Sequence, residues 1–288
     1  MLNHIAVMIQ YILPKQAITL LAGKFANAEA GWLTTFVIRW FVGRYGVNMS
    51  EAAEADIERY STFNHFFTRA LRADARPLAR TDFICPVDGT ISQFGNIEHG
   101  LIFQAKGHEY SATALLGGSE KLAAQYANGS FATLYLSPKD YHRIHMPCAG
   151  RLKSMIHIPG SLFSVNPLTA QTVPGLFARN ERVVCEFESG EIGRFIMVLV
   201  GATIVGSMAT SWHGVVNPPR PKQPRGWKYD QTTIELAQAE EMGKFLLGST
   251  VILLFPQQAV QFSQDWHAGK SVRMGEAMAA RPPQNKPA

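Results

Sequence analysis

The chain is 288 residues long, 47% hydrophobic and 17% charged, so it can bury a substantial core and is not a disordered polymer. Its 27 Lys and Arg against 22 Asp and Glu leave a net charge of +5, which suits an anionic partner, but no basic stripe marks a nucleic-acid surface. Cys85, Cys148 and Cys185 are scattered and odd in number, which speaks against a disulfide framework and for a reducing compartment.

The first residues lack the basic region, short apolar stretch and small-residue cleavage site of a secretory signal, so export is not expected. Apolar residues fall at helical spacing at Leu2, Ile5, Ile9 and Ile12, and again at Leu33, Phe36, Trp40 and Phe41, with Pro14 and Gly31 as punctuation. Lys15, Lys24, Arg39 and Arg44 face only Glu29, and Trp32, Trp40 and Tyr45 are of the kind that settle at lipid head groups. Two readings stand side by side: a helical layer folded onto the protein's own core, or an anchor lying in one membrane leaflet. A further helix is expected over residues 50–75, with Ser50 as N-cap and Phe63, Phe66 and Phe67 on its apolar face.

Beyond about residue 82 the texture changes to short β-branched runs bounded by Gly, Pro, Asn and Asp: 89–94, 131–136, 151–158, 182–187, 195–205 and 250–255. That pattern predicts a mostly antiparallel β domain and, with the helical start, an α+β chain. Residues 162–179 read as a long loop with a short helical turn, residues 217–227 as a second loop, and the proline-rich tail from Arg281 as disordered. Residues 195–216 carry no charge and are long enough to span a bilayer, yet Gly201, Gly206 and many β-branched residues make them two buried strands with a turn. The apolar run 245–262 is broken by Pro256, Gln257 and Gln258, so no transmembrane helix is predicted, and no internal repeat is visible.

Three motifs could carry chemistry. In Leu247-Gly248-Ser249-Thr250 a serine hydroxyl could attack the carbonyl of its own preceding peptide bond, and the glycine removes the side chain that would hinder it. The resulting ester would undergo β-elimination, leaving a dehydroalanine that hydrolyses to a pyruvoyl cap; the plain alternative is a turn or strand start. In Tyr141-His142-Arg143-Ile144-His145-Met146-Pro147-Cys148 two imidazoles and a thiol invite a zinc reading, but Pro147 disfavours the helix it needs and no further ligand pair is supplied. If the stretch is extended, His142 and His145 point to opposite sides, and both can also be hydrogen-bonded core histidines. In Cys85-Pro86-Val87-Asp88-Gly89-Thr90 a carboxylate precedes a strand, where it could orient a histidine or simply make an Asp-Gly turn. Gly269-Lys270-Ser271 has Gln264 where a phosphate loop needs glycine, and no Gly-x-Ser-x-Gly elbow is present.

Taken in order, residues 86–89, 104–108, 137–147, 159–166, 177–182, 200–203 and 247–250 resemble the motif blocks of the bacterial phosphatidylserine decarboxylases, and the likeness runs from about Tyr11 to about Gly275. The resemblance implies that Asp88, His145 and Ser249 form a self-processing triad, with His145 taking the proton from Ser249 and Asp88 orienting His145. It implies cleavage between Gly248 and Ser249 into a large subunit, 1–248, and a small one, 249–288, and a covalent pyruvoyl cofactor made from Ser249, with no metal and no pyridoxal phosphate. That group would form a Schiff base with the head-group amine, and phosphatidylserine would lose CO2 to give phosphatidylethanolamine, with His142 acting in the decarboxylation. Phe163, Ser164 and Asn166 are carried over as substrate-binding residues, on a loop that could cover the head group. The likeness further implies a helical membrane-associating region at 1–75, a β-rich catalytic domain at 76–280 and a tail at 281–288. Its partners would be an anionic membrane surface, reached peripherally from the cytoplasmic face of the inner membrane, and the two subunits of one precursor, with room for a homodimer of the processed pair. Two rivals are weighed: a pyruvoyl enzyme acting on a soluble amino acid, and a non-catalytic membrane-associated scaffold whose Gly248-Ser249 bond stays intact.

Overall fold

Pro14 and Gly31 divide the first 45 residues into three helices, α1 (Leu2–Ile12), α2 (Lys15–Ala26) and α3 (Trp32–Tyr45). Pro14 and Gly31 sit at the N-caps of α2 and α3, and Gly46 ends α3 in the left-handed conformation its missing side chain permits. The computed structural model describes residues 2–203, 207–217, 220–246 and 249–283. The inner face of these helices buries Thr19, Ala26, Thr34 and Ile38, while Ile12, Leu21, Trp32, Phe36 and Trp40 project outward, each more than half exposed.

The long helix expected over 50–75 is not formed. Asn48, Asp56 and Thr62 each accept a backbone N–H two or three residues on and so open separate short turns, of which only α4 (Phe63–Phe67) is α-helical. Ser50 is not a cap; its own N–H donates to Asn48 Oδ1 at 3.1 Å. The segment folds back on itself, with Ala53 N–H bonded to Ala70 O and Arg72 N–H to Glu51 O, which a continuous helix forbids.

From Phe83 onward the chain is β-rich. In order come β1 (Phe83–Ile84), β2 (Gly89–Asn96), β3 (Leu101–Ala105), β4 (His108–Ser111), β5 (Ser130–Leu136), β6 (Arg143–His145), β7 (Gly150–Ile158), β8 (Arg182–Ser189) and β9 (Gly193–Val200). Then follow β10 (Met208–Thr210), β11 (Gly214–Val215), β12 (Arg225–Lys228), β13 (Glu235–Leu236), β14 (Glu241–Phe245), β15 (Ser249–Phe255), β16 (Gln261–Phe262), β17 (Ser271–Val272) and β18 (Ala277–Ala280). Four single-turn helices, α5 (Ala112–Leu115), α6 (Glu120–Ala123), α7 (Pro167–Ala170) and α8 (Leu176–Arg179), interrupt the strands. All six strands expected from the sequence form, although the strand in the run 195–205 ends at Val200, and 204–205 lie outside the described residues. The 162–179 loop holds two short helices rather than one turn, and 225–227 of the second loop already belong to β12. Arg281 of the expected disordered tail is held by Asp82, whose Oδ2 accepts its N–H at 2.8 Å; residues 284–288 lie outside the described residues.

The main sheet is antiparallel in the order β12-β7-β8-β9-β15-β5-β2-β17, with β13 also pairing to β7. A second sheet runs β11-β10-β14-β6, and smaller ones join β1-β18-β16 and β3-β4. Both faces of the main sheet are covered. Ile252 and Leu254 of β15 face a core shared with Ile38, Phe66 and Phe177 of the helices, and Val251, Leu253 and Phe255 face one shared with Met208 and Phe245 of the second sheet. Burial on both sides explains the unbroken apolar run at 251–255 where a one-sided strand would alternate.

Candidate active site

Cross-strand partners form an unbroken row across the main sheet: Ile158, Arg182, Val200, Thr250, Tyr135, Thr90 and Ser271. At a strand spacing of about 4.8 Å the row is roughly 29 Å long. Antiparallel strands alternate in direction, so starts and ends gather on one edge. Along this edge β2, β8 and β15 begin and β5, β7 and β9 end, which gathers 86–89, 137–147, 159–166, 177–182, 200–203 and 247–250 although they are scattered over the sequence. Block 104–108 is elsewhere, in the β3–β4 hairpin. Its Gln104 is buried, donates to Ala170 O and Val173 O and accepts from Leu176 N–H, and so braces the loop that carries α7 and α8.

Ser249 is the first residue of β15 and pairs with Leu136. Four residues earlier, Phe245 ends β14 in the other sheet, and Leu246 N–H still bonds Ser207 O at 3.0 Å. Gly243 lets β14 lie this close to β10, because a Cβ there would stand 2.4 Å from Ala209 O. The chain thus changes sheets between Leu246 and Ser249. Gly248 and the side chain of Ser249 lie outside the described residues.

His145 closes β6 opposite Glu241 of β14. Its Nδ1 lies 2.8 Å from Ala239 O and its Nε2 3.0 Å from the Tyr141 hydroxyl. A carbonyl oxygen can only accept, so Nδ1 carries the proton and Nε2 is the basic nitrogen, taking the hydroxyl hydrogen of Tyr141. Burial pushes the ring below the ordinary imidazole range, against the pull of the Ala239 bond. Burial also raises the Tyr141 phenol, which therefore keeps its proton and donates.

Asp88 does not bond His145 among the described residues. Its carboxylate takes both arms of Arg76, Nε at 3.0 Å and Nη2 at 2.5 Å, together with Met274 N–H at 2.9 Å. Arg76 also reaches Glu51 Oε2 at 2.7 Å, and although burial opposes its charge, the two carboxylates hold the guanidinium above its usual pKa. The orienting contact expected from Asp88 is made by the Ala239 carbonyl. Asp88 reaches His145 through the backbone instead, since His145 N–H bonds Pro86 O at 2.9 Å two residues upstream.

His142 is fully buried beneath Phe67, with ring centroids 4.1 Å apart. Its Nδ1 donates to Asp140 O at 2.8 Å by the same logic, leaving Nε2 without a partner among the described residues. Burial drives its pKa down to about 3, so the ring is neutral. Phe245 N–H bonds His142 O at 3.0 Å, which ties this histidine to the strand that leads to Ser249.

The three expected substrate contacts have other partners. Phe163 is 2% exposed and packs on Tyr11, with Lys15 Nζ 4.2 Å and Arg179 Cζ 5.1 Å from its ring centroid. Ser164 N–H donates to Gln10 Oε1 at 2.9 Å, and Asn166 caps α7 through Thr169 N–H at 2.9 Å. The loop is thereby clamped to α1 and α2. Sequence reading missed Arg76, Glu51, Tyr141 and Ala239 as neighbours of the site; only Tyr141, adjacent to the paired histidines, carried a local signal. No group of three or more His, Cys, Asp or Glu able to hold a metal occurs among the described residues.

A family model described as phosphatidylserine decarboxylase matches residues 63–280, and a second, described as PSD, matches residues 5–46. The chain is 64% identical over 280 residues to the phosphatidylserine decarboxylase proenzyme of Dechloromonas aromatica (strain RCB), covering 97% of this chain and 99% of that one. It is 66% identical over 278 residues to the proenzyme of that name from Azoarcus sp. (strain BH72), covering 96% of each. Over 281 residues it is 66% identical to that of Acidovorax ebreus (strain TPSY), covering 98% of this chain and 99% of the other. A β-rich lyase-type site at one sheet edge is the class that fold and geometry define. The chain belongs to the phosphatidylserine decarboxylase family.

Proposed function

We propose that this chain is a phosphatidylserine decarboxylase proenzyme that cuts itself between Gly248 and Ser249 and then converts phosphatidylserine to phosphatidylethanolamine and CO2. The observation that carries this reading is the gathering, on one sheet edge, of the segments that bear Asp88, His142, His145 and Ser249.

His145, with its Nδ1 proton committed to Ala239 O, offers Nε2 as the base that removes the Ser249 hydroxyl proton. The serine oxygen attacks the Gly248 carbonyl carbon, and the Gly-Ser amide becomes an ester. Loss of the Ser249 Cα proton and rupture of the ester C–O bond leave a carboxylate on Gly248 and a dehydroalanine at 249, which takes up water and releases ammonia to become the pyruvoyl cap. Asp88 supports the imidazolium through its negative charge and through the Pro86 backbone rather than by direct contact. Tyr141 must release Nε2 before that nitrogen can act, which makes its hydroxyl a gate on processing.

The residues present fit a polar reactive group at the head of β15. His142 Nε2 and Thr250 Oγ1 are buried polar atoms with no partner among the described residues. The pyruvoyl carbonyl supplies the electron sink for the decarboxylation. His142, neutral because burial holds its pKa near 3, presents no positive charge that would stabilise the reacting carboxylate in the ground state. Its Nε2, unpartnered among the described residues, can accept a hydrogen bond from the head-group amine.

After the cut the small subunit is held by strand pairing on both sides of β15 and by the complete burial of residues 251–255. Each such side chain contributes roughly 1.5–3 kcal/mol. The outer face of α1 to α3 supports a peripheral seat on the cytoplasmic leaflet of the inner membrane: Ile12, Leu21, Trp32, Phe36 and Trp40 are exposed, with Lys24, Arg39 and Arg44 on the same helices. No helix among the described residues is long and apolar enough to cross a membrane. Denaturing mass analysis of active material is expected to give two fragments, 1–248 and 249–288, the smaller blocked at its N-terminus, and CO2 release from dispersed phosphatidylserine but not from free serine. A single unbroken chain in active material sinks the proposal.

A further inference from the structure

A cavity of about 280 Å³ opens beside the site, bordered by Gly46 at the end of α3, by Asp88, and by Ser137 and Tyr141 of the segment after β5. Its charged groups are not evenly matched. Arg76 is neutralised by Asp88 and Glu51, and Arg273 leans on Glu51 at 3.4 Å. Asp140 is turned to Ser137 N–H at 2.7 Å. Arg69 has no carboxylate partner. It is 4% exposed, its Nη2 makes one long bond to Lys139 O at 3.3 Å, and its Nε has no acceptor among the described residues. The Ser137 hydroxyl lines the same cavity and is buried, with the Asp140 carboxylate its one neighbour able to accept from it among the described residues. A buried guanidinium normally fills its donors, so an open Nε on a cavity that the Ser137 hydroxyl also lines marks a place for an oxyanion.

We propose that Arg69 and Ser137 form a phosphate-binding subsite that holds the phosphodiester of the substrate head group while its serine end reaches position 249. The assignment rests on the decarboxylase reading given above. One argument selects phosphate over the substrate's other anion, and two more show that the site suits it. A cation on the carboxylate would stabilise the very charge that must be lost as CO2, whereas one on the phosphate binds ground and transition states alike and positions the reacting end. The guanidinium fork matches phosphate oxygens, with Nε and Nη2 on one edge. The placement also fits: Ser137 directly follows Leu136, the cross-strand partner of Ser249, so its Cα lies within about 9 Å of that residue. The cavity borders the end of α3, whose outer face carries the exposed Trp40, so a lipid held in the leaflet can present its phosphate here. Burial lowers the Arg69 pKa against the opposing pull of Tyr60, Asp88 and Glu51, and a bound phosphate would oppose it further.

The test uses the processed full-length enzyme, with fragment masses confirming cleavage in every variant. For Arg69→Met, KM for short-chain phosphatidylserine in mixed micelles is expected to rise roughly tenfold to a hundredfold with kcat nearly unchanged, and Arg69→Lys to recover part of the loss. An unchanged KM, or an equal rise for serine methyl ester, which has no phosphate, overturns the proposal and leaves Arg69 a structural role. Should Arg69→Met fail to fold or cleave, Ser137→Ala and competition on the unmodified enzyme decide. Glycerophosphoglycerol, a diester without serine, is expected to compete with the substrate; no competition, or competition by inorganic phosphate alone, overturns the head-group assignment. Calorimetric binding of glycerophosphoglycerol reads the subsite without turnover, so an enzyme that binds it yet releases no CO2 from phosphatidylserine defeats the decarboxylase reading and not the subsite.

Discussion

The three N-terminal helices and strand β15 are built from similar apolar residues and use them in opposite ways. Residues 251–255 are fully buried between two cores, whereas Ile12, Leu21 and Trp32 are 86%, 68% and 79% exposed. The sheet buries its hydrophobic surface inside the protein, and the helices leave much of theirs exposed. Of the two readings of the N-terminal segment, packing on the protein's own core holds for the face of Ile38 and Ala26, while Trp32, Phe36 and Trp40, four residues apart, line an exposed face on which the proposed membrane seat rests.

Four experiments sharpen that contrast. The largest effect is expected from Ser249→Ala, which should abolish both cleavage and CO2 release while leaving an intact, folded chain; full activity in that variant refutes the pyruvoyl assignment. Next, Leu253→Ala opens a cavity in the middle of the sheet and should cost about 2–5 kcal/mol in urea unfolding, with the small fragment escaping at lower denaturant. A loss under 1 kcal/mol would mean that the fragment is held by something other than strand burial. On the helices, combined Trp32→Ser, Phe36→Ser and Trp40→Ser should leave the melting temperature unchanged but weaken binding to anionic vesicles about tenfold or more. Undiminished vesicle binding removes the membrane role of this face.

The smallest effect concerns acid. His142 has its folded pKa near 3, below the ordinary 6.5, so the unfolded chain binds more protons on falling below pH 6.5. The stability that depends on the neutral ring is complete above that pH and drains away toward pH 3. His145 shifts in the same direction. Melting temperature should therefore fall more steeply between pH 7 and 5 than in His142→Gln, and identical slopes would contradict the burial of the ring.

Strand positions were legible because β-branched runs bounded by Gly and Pro have few alternatives, and β15 could be placed within a residue. Residues 50–75 misled because Phe63, Phe66 and Phe67 imitate a helical face, while Asn48, Asp56 and Thr62, each able to begin a turn, divide the backbone. Motif order named Asp88, His142, His145 and Ser249, and the sheet gathers their segments. What held His145 could not be read, since the Ala239 carbonyl lies 94 residues away and a backbone oxygen has no sequence signature. The same is true of Arg76, whose fork takes the carboxylate that sequence logic had assigned to the histidine.

One consequence follows from where β15 sits. It is threaded between β9 and β5, near the middle of the widest sheet, and a covalent link to the rest makes entry into that slot an intramolecular event. If the proposed cut is made, assembly is easiest before scission, and a cut molecule that has been unfolded faces a reunion of two separate chains whose success depends on concentration. The uncut form needs no such encounter. On the proposed reading the precursor serves as its own assembly template, and the cut trades reversibility for a reactive end.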